Sequence, residues 1–578
     1  MTTTLAPGST GAQGVAHVIA GLERPLVFGL PGGHTVEVFD ALRDHAESVE
    51  AVLVREESLG TVMAEAYGRL SGSPAIVMAQ GAWILGAGGI GVMEAHLGAS
   101  PMVVLLDATE GGSYSHHGPY QSGNGGYGAY DLPAAMAAIT KRTFVATDPV
   151  QAVEMTQMAL AHAVIGEPGP VAVVFHSRSL LEQLTEADAR RVRLSPSAPA
   201  PAPHPDADSL ARAAALLDDA ERPAILAGNG ARAAEGAVLE LAERLGAPVV
   251  TTPSGKGTVP EDHPLAHGAI GGFGHDAAHR TLGTADVVLA VGTKIGASDT
   301  MDENSDLLDG RRQRIIQVDV EPLNLGWTQT VELPVLGRAQ DVLPRLAAAV
   351  TAPSNRAEER AAWAEQVRAA SRVLEVPQFA DGDRVNPRAL AALLSDLLPD
   401  TAVVTCDAGE NRLFMLHDYR VRAGGAILQP NGGGGMGYAI PAALAATYAR
   451  PGQLAVAVLG DGGYAMTLHG LMTAVEQRRH LLVVVMDNQA LGWVLHGQGE
   501  RPFLSTFADF DLAAIASAIG CTTTTASTQD ELRTAVDRAV AEPAVHVLVV
   551  PTSLTESFLT LRSPMAGSSH EEVGAGSV

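Results

Sequence analysis

The sequence predicts an α/β protein built of three doubly wound parallel-sheet domains. Three observations carry that prediction. Short β-branched and aliphatic runs alternate with longer Ala-rich amphipathic segments, the pattern of βαβ units around a parallel sheet. A Pro/Ala stretch, LSPSAPAPAPHPDADS (194–209), cannot pack and reads as a linker; a softer seam lies at 351–387, where a charged helix gives way to a loop. The length, 578 residues, suits three or four domains. These seams delimit blocks at 10–190, 205–350 and 385–555, followed by a tail at 556–578.

In the first block the strand-like runs are PLVFGL, AVLV, AIVMA, MVVLLD and VAVVFH. In the middle block they are PAILAG, PVVTT, DVVLAVG and RIIQVDV. In the last they are AVVTCD, AILQP, LAVAVLG, LLVVVMD and VHVLVVP. No short-period repeat is present. The tail, SLTESFLTLRSPMAGSSHEEVGAGSV from residue 553, is polar and rich in Gly and Ser, and reads as a disordered end or a lid.

Composition narrows the function. Apolar residues make up 46% of the chain, enough for sizeable cores. Net charge is −26, which argues against nucleic acid or an anionic membrane as partner. The opening MTTTLAPGSTGAQG lacks a basic region and a long apolar region, and apolar stretches stay under 18 residues. A cytoplasmic protein with no membrane span is expected. Cys406 and Cys521 are too few for a disulfide framework or a zinc site and are read as reduced thiols.

The richest segment is GDGGYAMTLHGLMTAVEQRRHLLVVVMDNQALGW, from Gly460. LAVAVL (454–459) drives into the GDG, and LLVVVM (481–486) drives into Asp487-Asn488. Two strands thus deliver oxygen ligands at their carboxyl ends, the edge where ligands collect in open α/β sheets. The Asp461 carboxylate and the Asn488 amide oxygen suit a small hard cation such as Mg²⁺ that also binds phosphate. The glycines let the backbone approach that anion. A nucleotide-binding oxidoreductase is the competing class, with GNGARAAEG (228–236) as its phosphate loop; that loop fails G-x-G-x-x-G at its last glycine.

A GDG followed 26 positions after Gly462 by Asn488 closely resembles the diphosphate–metal motif of thiamine-diphosphate enzymes. DAGENRLFMLHDYR (407–420) and NGGGGMGYAIPAALAA (431–446) are similar to segments of acetolactate synthases and 2-oxoacid decarboxylases. So is REESLGTVMAEAYGRLSG (55–72), with Ala64, Glu65, Tyr67 and Arg69 on the family's helix pattern. GNGA, SGKGTVPEDHPL (254–265) and GTKIG (292–296) are similar to the family's central domain. The resemblance implies bound thiamine diphosphate, with Mg²⁺ held by Asp461, Asn488 and the carbonyl of Ala490. It places Gly33, Gly409, Asn411, Gly434, Gly460, Gly462, Gly463 and Gly492 around the cofactor, with Met436 beneath it.

It also implies Glu57 as the glutamate that relays a proton on the aminopyrimidine ring, with Glu56 as a solvent-facing acid at the helix start. Glu57 and Asp461 fall in different domains, so the family's site between subunits implies a homodimer at least, and commonly a tetramer. The acidic and basic segment of flavin-bearing relatives is replaced by GTKIGASDT, so flavin is not expected. His34, after Pro-Gly-Gly, matches a histidine of benzaldehyde-lyase-like enzymes, and Gln121 a glutamine facing the thiazolium. The insertion around His116 and His117 has no counterpart. The expected activity on a small-molecule substrate is cleavage of a 2-hydroxyacyl compound, CoA thioesters included. The alternative is a 2-oxoacid decarboxylase or an acyloin-forming enzyme of acetolactate-synthase type.

Overall fold

The computed structural model describes residues 5–109, 121–192, 194, 203–351 and 354–566; His116 and His117 lie outside these, as do half of the 194–209 linker and the last twelve residues of the tail. Three six-stranded parallel sheets follow one another along the chain. The first comprises β1 (Leu26–Leu30), β2 (Glu50–Leu53), β3 (Ala75–Gln80), β4 (Met102–Ala108), β5 (Arg142–Ala146) and β6 (Pro170–His176), in the order β2-β1-β3-β4-β6-β5. The second comprises β7 (Pro223–Ala227), β8 (Val249–Thr251), β9 (Ala266–Ala269), β10 (Val287–Val291), β11 (Arg314–Asp319) and β12 (Leu333–Leu336). Its order, β12-β11-β10-β7-β8-β9, is that of a dinucleotide-fold sheet.

A small antiparallel pair, β13 (Ala380–Asp381) and β14 (Arg384–Val385), leads into the third sheet. That sheet comprises β15 (Val403–Cys406), β16 (Ala426–Leu428), β17 (Ala455–Gly460), β18 (Leu481–Asp487), β19 (Thr522–Thr525) and β20 (Val545–Pro551). Its order, β16-β15-β17-β18-β20-β19, repeats the topology of the first. The central strands are buried on both faces by helices, so their sequences are continuous apolar runs. Four strands, β5, β9, β12 and β19, have no counterpart among the runs read from sequence. Each lies at a sheet edge, where one side has no strand neighbour and a continuous apolar run is not needed.

The first and last sheets share one core. The helices Glu57–Ser71 and Ala439–Ala449 pack together, burying Leu59, Met63 and Tyr67 with Tyr438, Ile440 and Leu444. Small residues permit that approach: Ala439–Ala449 is largely alanine, and a Cβ on Gly91 of the neighbouring helix would stand 2.5 Å from the backbone of Thr61. Each fully buried Leu or Met contributes about 1.5–3 kcal/mol.

Inside this core runs a buried polar chain. Arg69 lies 2.5 Å from Glu65 and 3.0 Å from Glu94, and its Nη1 donates to the carbonyl of Gln429 at 2.8 Å. Ser100 and Tyr438 donate their hydroxyls to Glu65 at 2.7 and 2.8 Å. Gly432 and Gly433 donate their N–H groups to Glu94 at 3.0 and 2.6 Å. Burial drives the Glu65 carboxyl upward in pKa while Arg69 pulls it down.

The middle sheet joins the last through Arg232, which donates to the carbonyls of Ser254, Lys256 and Ile427. Residues 553–566, the start of the segment read as a tail, are packed. Phe558 stacks on Trp493 with centroids 4.3 Å apart, and Ser563 N donates to Gly272 O at 2.8 Å, tying the strap to the middle block. Among the described residues no helix is long and apolar enough to cross a membrane.

Arg69→Met would leave two buried carboxylates without their cation. It should cost ~3–5 kcal/mol, seen as a lower urea midpoint; an unchanged midpoint would show the network to be dispensable.

Candidate active site

The site forms at the carboxyl edge of the third sheet, where the strand order reverses between β15 and β17. After β15 comes Asp407-Ala408-Gly409, with Gly409 at φ +112, and the helix Glu410–Asp418. After β17, Asp461 begins the helix Asp461–Thr467; after β18 come Asn488 to Leu491 and the helix Gly492–Gln498. These segments enclose a cavity of about 330 Å³. All eleven residues of the last block named from the sequence line it: Gly409, Asn411, Gly434, Met436, Gly460, Asp461, Gly462, Gly463, Asn488, Ala490 and Gly492.

Asp407 organises the floor. It is fully buried and accepts the N–H groups of Ala408, Gly437 and Tyr438 at 3.0–3.1 Å, which fixes the glycine-rich turn carrying Gly434 and Met436. A Cβ on Gly463 would fall 1.9 Å from Asp407 Oδ2, and one on Gly462 would fall 3.0 Å from Met436 Cε. Both positions therefore keep backbone N–H groups at the wall of the cavity. Burial pushes the Asp407 carboxyl up to about 6.

Asp461 has a different environment. Its Oδ1 accepts the Gly462 N–H at 2.7 Å, while Oδ2 is buried with no hydrogen-bond partner among the described residues. Burial first, and then the charge of Asp487, push this carboxyl up to about 6. A buried carboxylate oxygen with no donor fits a cation ligand. Asn488 Oδ1 lies beside it in the same wall and accepts the Ala490 N–H at 3.0 Å. The oxygen donors and the glycine-lined wall together fit a metal-bridged diphosphate.

Several residues of the site escaped the sequence reading. Glu410 is buried in the lining, and its Oε1 accepts from Phe558 N at 2.9 Å and pairs with His496 Nδ1 at 2.7 Å. His496 Nε2 in turn donates to Leu554 O at 2.9 Å, so the strap is latched to the wall. Nothing in the DAGENRLF string marks Glu410 as a pocket acid, because its partners come from 86 and 148 positions away.

The residues named in the first block are elsewhere. Glu57 opens the helix Glu57–Ser71 and is buried, and burial raises its carboxyl above the usual range. Glu56 is that helix's N-cap: it accepts Ser58 N at 3.2 Å, and its side chain is 38% exposed. Gly33, His34 and Gln121 sit at the carboxyl edge of the first sheet. Among the described residues, none of the first block lines the cavity of the last. One chain therefore brings the diphosphate-type cavity together but does not bring Glu57 into it.

Three family models match the chain in order: Thiamine pyrophosphate enzyme, N-terminal TPP binding domain, over residues 9–124; central domain, over 210–346; and C-terminal TPP binding domain, over 407–550. The chain is a thiamine pyrophosphate enzyme. The enzyme is 28% identical to a probable acetolactate synthase large subunit of Methanocaldococcus jannaschii, over 84% of this chain and 82% of the relative. It is 29% identical to a probable 2-ketoarginine decarboxylase of Pseudomonas aeruginosa, over 90% of each. It is 24% identical to acetolactate synthase isozyme 1 large subunit of Escherichia coli, over 99% of each.

Gly463→Ala would drive a methyl into Asp407. The purified variant should release at least tenfold less thiamine pyrophosphate on denaturation than the wild type, and wild-type content would show that the turn can shift.

Proposed function

We propose that this thiamine pyrophosphate enzyme is Mg²⁺-dependent and acts on a 2-oxo acid, by decarboxylation or by acyloin formation of the acetolactate-synthase type. The observation that carries this reading is the set of relatives, acetolactate synthases and a 2-ketoarginine decarboxylase, matched over most of the chain. They favour it over the 2-hydroxyacyl cleavage expected from the sequence.

When bound, thiamine pyrophosphate supplies a carbon nucleophile that adds to a carbonyl and stabilises the negative charge left when a neighbouring bond breaks. The chain's own residues do the rest. Asp461 Oδ2, the Asn488 amide oxygen and the Ala490 carbonyl would hold Mg²⁺ against the diphosphate. Gly409, Asn411, Gly462 and Gly463 would offer donors to its oxygens, and Met436 would support the cofactor from the side of Gly462. Glu57 would hold and move a proton at the aminopyrimidine, a task suited to a buried carboxyl of raised pKa.

Because Glu57 does not reach the cavity of its own chain, it would serve that of a second copy, making a homodimer the smallest working unit. The loop beside the cavity supports this. Phe507 lies near Gly462, and Phe503, Leu504 and Phe510 are 72%, 83% and 64% exposed, an apolar surface suited to covering.

A second reading, a C–C lyase, has one observation in its favour. The His34 imidazole is half-buried beside the Pro-Gly-Gly turn and makes no hydrogen bond among the described residues, so it is free to take a hydroxyl proton.

A panel of 2-oxo acids and 2-hydroxyacyl-CoA esters, read by CO₂ release and mass spectrometry, separates these readings. Glu57→Gln should keep cofactor content and lose roughly 10²-fold or more in rate, while Glu56→Gln loses far less. Reversed effects would place the register one residue off. For the lyase reading, His34→Ala should slow 2-hydroxy cleavage by about 10²–10⁴-fold and spare decarboxylation; equal small effects on both would reject it. Asp461→Ala should lose bound cofactor, and full activity after exhaustive dialysis against a chelator would reject the Mg²⁺ assignment.

A further inference from the structure

At the carboxyl edge of the first sheet, Gln80 ends β3 and Asp107 lies near the end of β4. They are direct register partners across the two strands. Neither is one of the residues assigned above, yet both residues of interest at this edge hang on them.

Asp107 is 2% exposed. Its Oδ2 accepts the backbone N–H of His34 at 2.9 Å, and its Oδ1 accepts that of Gly81 at 3.3 Å. One carboxylate thus ties the turn after β1 to the turn after β3. The fit is tight: Gly33 has φ +54, and a Cβ there would fall 2.2 Å from Asp107 Oδ2. Thr35 Oγ1 closes the same turn by donating to Gly32 O at 2.6 Å. Gln80 donates its amide N–H to Gln121 Oε1, and Gly32 lies over the Gln80 side chain.

Gln121 itself has φ +65, a conformation unusual for a residue with a side chain, so a contact is needed to keep it there. The arrangement uses the backbone of His34 and the amide oxygen of Gln121. The imidazole of His34, within electrostatic reach of the Asp107 carboxyl, and the amide nitrogen of Gln121 make no hydrogen bond among the described residues.

We propose that Gln80 and Asp107 are positioning residues for catalysis: they fix His34 and Gln121 on one wall, with the imidazole and the amide N–H left free for substrate. This rests on the C–C lyase reading, in which those two residues act at the reacting carbon. The pair stands in the first block, away from the diphosphate-side cavity lined by the last, so its larger effect should fall on turnover.

The test uses the full-length enzyme loaded with thiamine pyrophosphate and Mg²⁺. Asp107→Ala should speed hydrogen exchange in peptides covering 31–38 and 81–86 with the other peptides unchanged. Asp107→Asn, which retains one acceptor oxygen, should give a smaller change. Asp107→Ala and Gln80→Ala should each lower kcat for 2-hydroxy cleavage by about 10–100-fold, the scale of a misplaced group, and change the cofactor Kd by less than they change kcat. In a double-mutant cycle, Gln80→Ala should cost less than twofold once Gln121 is already Ala.

Unchanged exchange in Asp107→Ala, or fully additive losses in the cycle, would overturn the proposal. Wild-type turnover in both His34→Ala and Gln121→Ala would instead overturn the reading beneath it, and the positioning role with it.

Discussion

The contact on which the rest depends is the buried chain Glu65–Arg69–Glu94, together with the two small-residue helices around it. It lies where the first sheet meets the last and belongs to both. Glu94, from the first block, carries the N–H groups of Gly432 and Gly433; Asp407, from the last, carries those of Gly437 and Tyr438. The glycine-rich turn at the cavity is therefore clamped by one carboxylate from each domain. A turn with so few side chains would otherwise be free to move, and glycine loses more freedom than any other residue when it is fixed.

Charge follows a single logic around the cavity. Asp407, Glu410 and Asp461 are all buried acids whose pKa is raised chiefly by loss of water. Two are satisfied inside the protein, Asp407 by three backbone N–H groups and Glu410 by His496 and Phe558 N. Asp461 keeps an oxygen with no hydrogen-bond partner among the described residues. That difference separates an acid that builds the wall from one that faces a ligand.

Much of this was legible in the sequence. Interior strands appear as continuous apolar runs because both faces are covered. Four of the six edge strands, such as Thr522–Thr525 with its half-exposed threonines, carry no such signal and have no counterpart among the sequence runs. The cavity was legible because its wall consists of glycines and polar residues at the ends of strongly marked strands. The choice of Glu57 over Glu56 comes from the register of the family resemblance; in the structure Glu56 caps the helix, accepting Ser58 N, and Glu57 is buried. Glu410, His496, Gln80 and Asp107 were not legible. Their meaning lies in partners distant in sequence, and a lone acid or amide at a strand end gives no local pattern to read.

The shared core of the first and last sheets also shapes how the chain is made. The helix Glu57–Ser71 carries Leu59, Met63 and Tyr67 on a face whose cover, the helix Ala439–Ala449, leaves the ribosome about 370 residues later. At about 5–20 residues per second, that face waits roughly 20 to 75 s for its partner. The middle block, by contrast, closes its own core between Ala213 and Val350. During synthesis the first block is thus a finished sheet with one unfinished side, the kind of surface that holding chaperones recognise.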